Sequence, residues 1–297
     1  MDTVCGIDNW DVLLVEKGGK IVATMPFVKT TLKGNEFIQM PVLTQTLGPF
    51  LIYPQNQKYE KRLAFEKEVL TELIKQLPEF GFFNQRFHYS ITNWLPFFWN
   101  GFSQSTRYTY VVDDLSDLDS VFSNFGSNIK SDIRKADKIA KIEETNDLEL
   151  FYGLIASTFN KQNKAVPYSI EMLKRIDDAC VKENSRKIFI AKDDKGQLHA
   201  AVYLIWDETS AYYLIGGKNN EIKNSGATSL VLWHAIKFAS SIVGKFDFEG
   251  SMLEPVERFF RAFGAKQVPY FSITKTNSKK LKIKNSLAVI KRTILNK

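Results

Sequence analysis

The sequence predicts an α/β chain built on a mixed sheet, and three observations support that class. The second half reads as two helices, three consecutive strands, a glycine-bearing loop, then helix, strand, helix, strand. A strand meander that passes into strand–helix alternation needs both antiparallel and parallel neighbours. The first half follows a looser version of this plan, with a hairpin, a third strand, a long helix and two β-rich stretches. With 297 residues, 44% of them hydrophobic, the chain can form one large domain or two smaller ones.

In order, Asp11–Val15 and Lys20–Lys29 alternate as strands around Gly18–Gly19, a pair suited to a tight hairpin. Glu36–Val42 continues the strand pattern into the loop "PVLTQTLGPF". Leu63, Val69, Leu70, Leu73, Ile74 and Leu77 have helical spacing, and Pro78 stops the run. Gly81–Thr92 and Gly101–Val112 are rich in β-formers. Residues 126–141 predict a helix whose apolar face is Ile129, Ile133, Ala136 and Ala140. Lys130, Arg134, Lys138 and Lys141 line another face.

A boundary follows that helix, giving an N-terminal domain 1–142 and a C-terminal domain 143–276. Asn146 with Glu149 resembles a capping box, and Ser169 caps a second helix. The strands 187–192, 198–207 and 210–216 come next, then the loop "GGKNNEIKNSGA" and a helix over 228–243. Strand 245–248, helix 255–263 and strand 268–275 complete the domain. In the last segment, 277–297, Ile283, Leu287, Ile290 and Ile294 share one face of a basic amphipathic stretch.

No apolar run reaches the roughly 18 residues of a membrane helix, and polar residues break up Met1–Trp10 where a signal peptide would be apolar. Cys5 and Cys180 offer neither a metal cluster nor a disulfide framework, so a reduced cytoplasmic setting is expected. Eleven Lys and Arg and no Asp or Glu follow Glu257, so residues 1–257 carry −4 within a net charge of +7. That asymmetry fits either a solubilising tail or contact with RNA, nucleotides or anionic lipid.

Three stretches carry a family resemblance: "MPVLTQTLGPF" (40–50), "SNIKSDIRKADK" (127–138), and "YLIGGKNNEIKNSGATSLVLWHAIKFA" with "FDFEGSMLEPVERFFRAFGA". Together they resemble the Gcn5-related N-acetyltransferase fold, and more narrowly the FemAB-like branch of bacterial peptidoglycan aminoacyltransferases. The resemblance implies two acyl-CoA N-acyltransferase-like domains, the first degenerate and holding much of the acceptor. It implies transfer of an acyl or aminoacyl group to an amine of a cell-envelope or glycan precursor, with acyl-CoA or aminoacyl-tRNA as co-substrate. No tightly bound cofactor and no metal is implied. A phosphate-bearing or lipid-linked acceptor would place the work in the cytoplasm at the inner face of the membrane.

Within that frame, Gly216, Gly217, Asn224, Gly226 and Ala227 form either a cradle for the donor's phosphates at a helix start or an ordinary strand-to-helix loop. The family's usual pair of closely spaced glycines is degenerate here. Lys130 and Arg134 suit an acceptor phosphate, or are simply solvated. Thr44 and Gln45, between Pro41 and Pro49, could hydrogen-bond an acceptor or belong to a structural turn. Two residues are proton acceptors by type: Glu249, at the end of a strand, and His234, in an apolar helix where a core role is the alternative. Many acetyltransferases carry an acidic tyrosine in the helix at 255–263; Phe260 stands at that position. The competing expectation is a non-catalytic protein that binds RNA or a membrane surface through its basic C-terminal segment.

Overall fold

A computed structural model describes residues 1–161, 163–250 and 252–283. The expected amphipathic and nucleic-acid- or membrane-binding segment therefore lies outside the described residues from 284 onward. In chain order the elements are α1 (Asp2–Cys5), β1 (Trp10–Lys17), β2 (Lys20–Leu32), β3 (Asn35–Gln39), β4 (Phe50–Leu51), α2 (Tyr59–Gln76), β5 (Phe82–Arg86), α3 (Leu95–Trp99) and β6 (Ser103–Val112). There follow α4 (Leu118–Ser123), α5 (Ser127–Ala136), β7 (Lys141–Glu144), α6 (Leu148–Asn160), α7 (Ile170–Lys182), β8 (Arg186–Lys192), β9 (Leu198–Trp206) and β10 (Ser210–Lys218). The last are α8 (Ala227–Ala239), β11 (Lys245–Asp247), α9 (Glu254–Arg261) and β12 (Lys266–Thr276). No helix among the described residues is long and apolar enough to cross a membrane.

The chain divides into two compact units, Met1–Arg107 with Pro269–Lys297, and Tyr108–Val268. The expected boundary at 142/143 instead falls inside β7, a strand that the helical reading of 126–141 concealed. Helix α5 ends at Ala136, and β7 pairs antiparallel with β8. Cross-strand ion pairs reinforce that pairing, from Lys187 to Glu144 at 2.5 Å and from Lys192 to Glu143 at 3.5 Å. The cap of α6 is also Asp147, which accepts from the Leu150 amide, one residue after the expected Asn146.

The first unit runs β1–β2–β3–β5–β12, antiparallel except for the parallel pair β3–β5. Gly18 and Gly19 have φ of 56° and 70°, the paired positive values a two-residue hairpin turn needs. Its core gathers Met25, Ile38, Val69, Leu70, Leu73, Phe83 and Phe87 around α2.

The second unit runs β6–β11–β10–β9–β8–β7, antiparallel except for the parallel pair β10–β11. One parallel step, spanned by one helix, thus closes an antiparallel meander in each unit. This shared plan is the duplication the first half only hinted at in sequence. In the second unit α5 and α8 pack on one side with Phe189, Val202, Leu204 and Phe246.

Candidate active site

The site begins where two parallel strands part. β10 and β11 pair at three positions only, Ser210 with Lys245, Ala211 with Phe246 and Tyr212 with Asp247. β11 stops there, while β10 continues six residues further to Lys218. On its other edge β10 stays paired with β9, interrupted by a register shift between Tyr213 and Ile215. Leu214 is therefore the extra residue of a bulge, a device that re-aims backbone and side chains beside functional sites. From Tyr213 onward the β11-side edge of β10 has no strand partner among the described residues.

The turn after β11 is tightly built. Phe246 and Phe248 alternate into the core, leaving Asp247 on the other face of the strand and 4% exposed. Its carboxylate accepts from the Thr109 hydroxyl and, at 2.7 Å, from the Glu249 amide. Burial nevertheless dominates and pushes its pKa up to about 6. Glu249 and Gly250 are both left-handed, with φ of 53° and 48°. A Cβ at Gly250 would lie 2.2 Å from the Tyr108 carbonyl oxygen, so only glycine fits. Holding a glutamate in the left-handed region costs on the order of 1–3 kcal/mol and persists only where surroundings over-determine it. Here Asp247 and the Tyr108–Thr109 backbone do so, and Glu249 is held half-buried at the strand end.

The loop after β10, read as either a phosphate cradle or an ordinary strand-to-helix loop, packs closely against α5. Gly226 is left-handed at φ 74°, and a Cβ there would lie 2.3 Å from the Asp132 carbonyl oxygen in α5. The Ala227 amide donates to the Ser225 hydroxyl at 3.3 Å, and Ser229 donates to the Asp132 carboxylate at 3.4 Å. Lys135 binds the Asn224 carbonyl. Backbone and an acidic side chain of α5 thus pack against the start of α8. Asn224, Gly226 and Ala227 serve that packing. Gly217 admits Ile155 and Thr158 of α6, whose side chains would stand 2.7 and 3.4 Å from a Cβ there. Gly216 lies under the Tyr213 ring.

The remaining candidates separate. His234 stacks edge-on against Phe189 at 4.9 Å, and burial, with Lys237 adding to it, lowers its pKa. It is half-buried on α8, packed on Phe189. Lys130 is tied to the Ser123 carbonyl at 2.7 Å, whereas Arg134 is exposed, with no ion pair among the described residues. Lys141 pairs with Asp194. In the first unit Thr44 donates to the Val42 carbonyl at 3.2 Å. The Gln45 side-chain oxygen is buried and has no hydrogen-bond partner among the described residues.

Sequence reasoning passed over Asp247, Asp132 and the side chain of Tyr213. An acidic residue between two phenylalanines of a short strand was a usable signal for the first. Nothing local pointed to the second, because its contacts lie about a hundred positions away.

The acetyltransferase (GNAT) domain family matches residues 123–251, a span that takes in the bulge, the α8 loop and Glu249. No curated protein sequence matches the chain. Among solved structures, FemX aligns with a TM-score of 0.67 at 12% identity, over 94% of this chain and 91% of that one. A C-terminal domain assigned to a lysylphosphatidylglycerol synthetase of Agrobacterium fabrum aligns at 0.54 and 11% identity, over 99% and 94%. A tandem GNAT protein from the clavulanic acid biosynthesis pathway gives 0.53 and 11%, over 90% and 82%. At these identities the likeness is one of fold, two acyltransferase-like domains in tandem. Residues 123–251 thus match the acetyltransferase (GNAT) domain family, and the chain shares the tandem acyltransferase-like fold of these structures, with a bulged strand parting from its parallel neighbour.

Proposed function

We propose that this protein transfers an acyl or aminoacyl group to an amine of a cell-envelope precursor, with Glu249 receiving the amine's proton. The observation that carries this reading is the opening between β10 and β11, closed at its base by a strained glutamate. Unpaired backbone N–H groups of β10 can polarise an acyl carbonyl laid along that edge. An amine attacking the carbonyl carbon must lose a proton, and a carboxylate fixed at the strand end can accept it. Asp247, buried beneath the turn, positions Glu249.

Donor and acceptor follow from secondary observations. GNAT domains use acyl-CoA as co-substrate, but Asp132 and the α5 backbone crowd the α8 start that would hold its diphosphate. This favours an aminoacyl ester, as in aminoacyl-tRNA, as the donor. The likeness to FemX and to a lysylphosphatidylglycerol synthetase domain supports a lipid-linked or phosphate-bearing acceptor handled in the cytoplasm at the membrane face. Exposed Arg134 is suited to an acceptor phosphate.

The test is a transfer screen read by mass spectrometry. Acetyl-CoA and charged tRNA are offered as donors, with a lysine-bearing nucleotide-sugar peptide and aminolipid vesicles as acceptors. The expected result is a mass gain on the amine from charged tRNA exceeding that from acetyl-CoA. Absence of transfer from every donor contradicts the proposal.

A further inference from the structure

The transfer site just proposed needs a second proton. When the carbonyl's tetrahedral adduct collapses, the departing oxygen or sulfur must be protonated, and Glu249 serves the other side of the reaction. We infer that the hydroxyl of Tyr213, on strand β10, is the acid that protonates the leaving group. The inference rests on the transfer site described above and adds a residue to it.

Four observations converge. Tyr213 is the last residue before the Leu214 bulge, at the first position where β10 has parted from β11. A Cβ on Gly216 would lie 1.9 Å from the Tyr213 hydroxyl oxygen, so the ring runs along the strand and rests its hydroxyl on Gly216. Gly216 is not among the positive-φ glycines, and this overlap is the reason a side chain is missing there. The ring is held edge-on against Phe260 of α9 at 5.7 Å, and Phe260 is wedged by Phe248 at 5.0 Å. The hydroxyl is thereby fixed beside the open edge of the strand.

The hydroxyl differs from four other phenols of the second unit, while the buried Tyr168 hydroxyl beside it likewise has no hydrogen bond among the described residues. Tyr110 donates to Glu257, Tyr152 to the Tyr168 carbonyl, Tyr203 to Asp177 and Tyr212 to Asp207. That of Tyr213 makes no hydrogen bond among the described residues. A shielded tyrosine hydroxyl ordinarily finds a partner, and one left without it beside an open strand edge is suited to a bound group. Burial raises its pKa, and its neighbour Tyr168 is raised by burial and then by Tyr152 and Tyr213. The phenol stays protonated at neutral pH, as an acid must.

The step balances without any further reactant. The amine nitrogen forms a bond to the acyl carbon and yields its proton to Glu249. The carbon–oxygen or carbon–sulfur bond breaks, its electron pair leaves with the heteroatom, and the Tyr213 hydroxyl supplies that atom's proton. The tyrosinate then regains a proton from water.

Leaving-group dependence tests this directly. Two acyl probes are compared with glycinamide as acceptor: S-acetyl-N-acetylcysteamine, whose alkyl thiolate needs protonation, and phenyl thioacetate, whose aryl thiolate does not. Tyr213→Phe keeps the ring and its Phe260 contact, and is expected to lower the alkyl rate about 10²-fold while changing the phenyl rate by less than about threefold. Gly216→Ala, which displaces the hydroxyl, should show the same selectivity. Adding Phe260→Tyr to Tyr213→Phe returns a phenol from the facing ring and should restore part of the alkyl rate. An equal fall on both probes, or none on either, overturns the role of Tyr213 while leaving the transfer site standing. A wild type inactive on both probes overturns the transfer site and Tyr213 with it.

Discussion

Two strand-to-helix connections in the second unit invite comparison, the loop from β10 to α8 and the turn from β11 to α9. Each contains a left-handed glycine whose missing side chain admits backbone from elsewhere, Asp132 against Gly226 and Tyr108 against Gly250. Their polar groups are used differently. In the first, Ser229 meets Asp132, Lys135 meets the Asn224 carbonyl, and Ser225 accepts from the first amide of α8. In the second, a buried aspartate spends its hydrogen bonds holding a glutamate in a conformation that glutamate disfavours. Glycines alone therefore do not mark a ligand site. Strain imposed on a charged residue distinguishes the second connection from the first.

The sharpest way to break this contrast is to fill each glycine. Gly250→Ala and Gly226→Ala should both cost about 2–4 kcal/mol by overpacking and backbone strain, measured by urea unfolding. Their activities per folded molecule should differ: Gly226→Ala retains transfer, and Gly250→Ala loses it. Equal activity in the two variants would erase the distinction between the connections.

A second prediction concerns Asp247. Its folded pKa of about 6 lies above the ordinary aspartate value near 4. Between those values the folded protein keeps a proton that the unfolded chain releases. The contribution of Asp247 to the unfolding free energy should therefore fall as pH rises from about 4 to about 6, by up to about 3 kcal/mol, and then level off. Asp247→Asn should remove that dependence, which denaturation midpoints across the range would reveal.

The smallest effect is expected at the start of α8. Inorganic pyrophosphate at millimolar concentration should leave the melting temperature of the wild type unchanged, because the acidic Asp132 side chain packs beside the helix's positive end. A clear upward shift would mean that the cradle is open after all.

Much of the fold was legible because periodicity is local. The hairpin at Gly18–Gly19, the α2 stripe and the run of strands 8 to 10 followed from spacing and turn residues. Strand β7 was not, since "KIEE" is short, exposed and continuous with a helical basic stripe. It is a strand because it pairs with β8, whose Lys187 and Lys192 reach its glutamates diagonally. The site was legible at Glu249, whose place after an alternating strand was visible in sequence. Tyr213 and Asp132 were hidden because their roles depend on a bulge and on a helix about a hundred residues away, which no local pattern encodes.

The most direct test of the central claim is the turnover of Glu249→Gln. At saturating donor and acceptor, the variant should fold and bind as the wild type does while kcat falls about 10²- to 10⁴-fold, the usual weight of a positioned proton acceptor. An unchanged kcat would contradict the assignment of Glu249 and leave the strained turn as architecture alone.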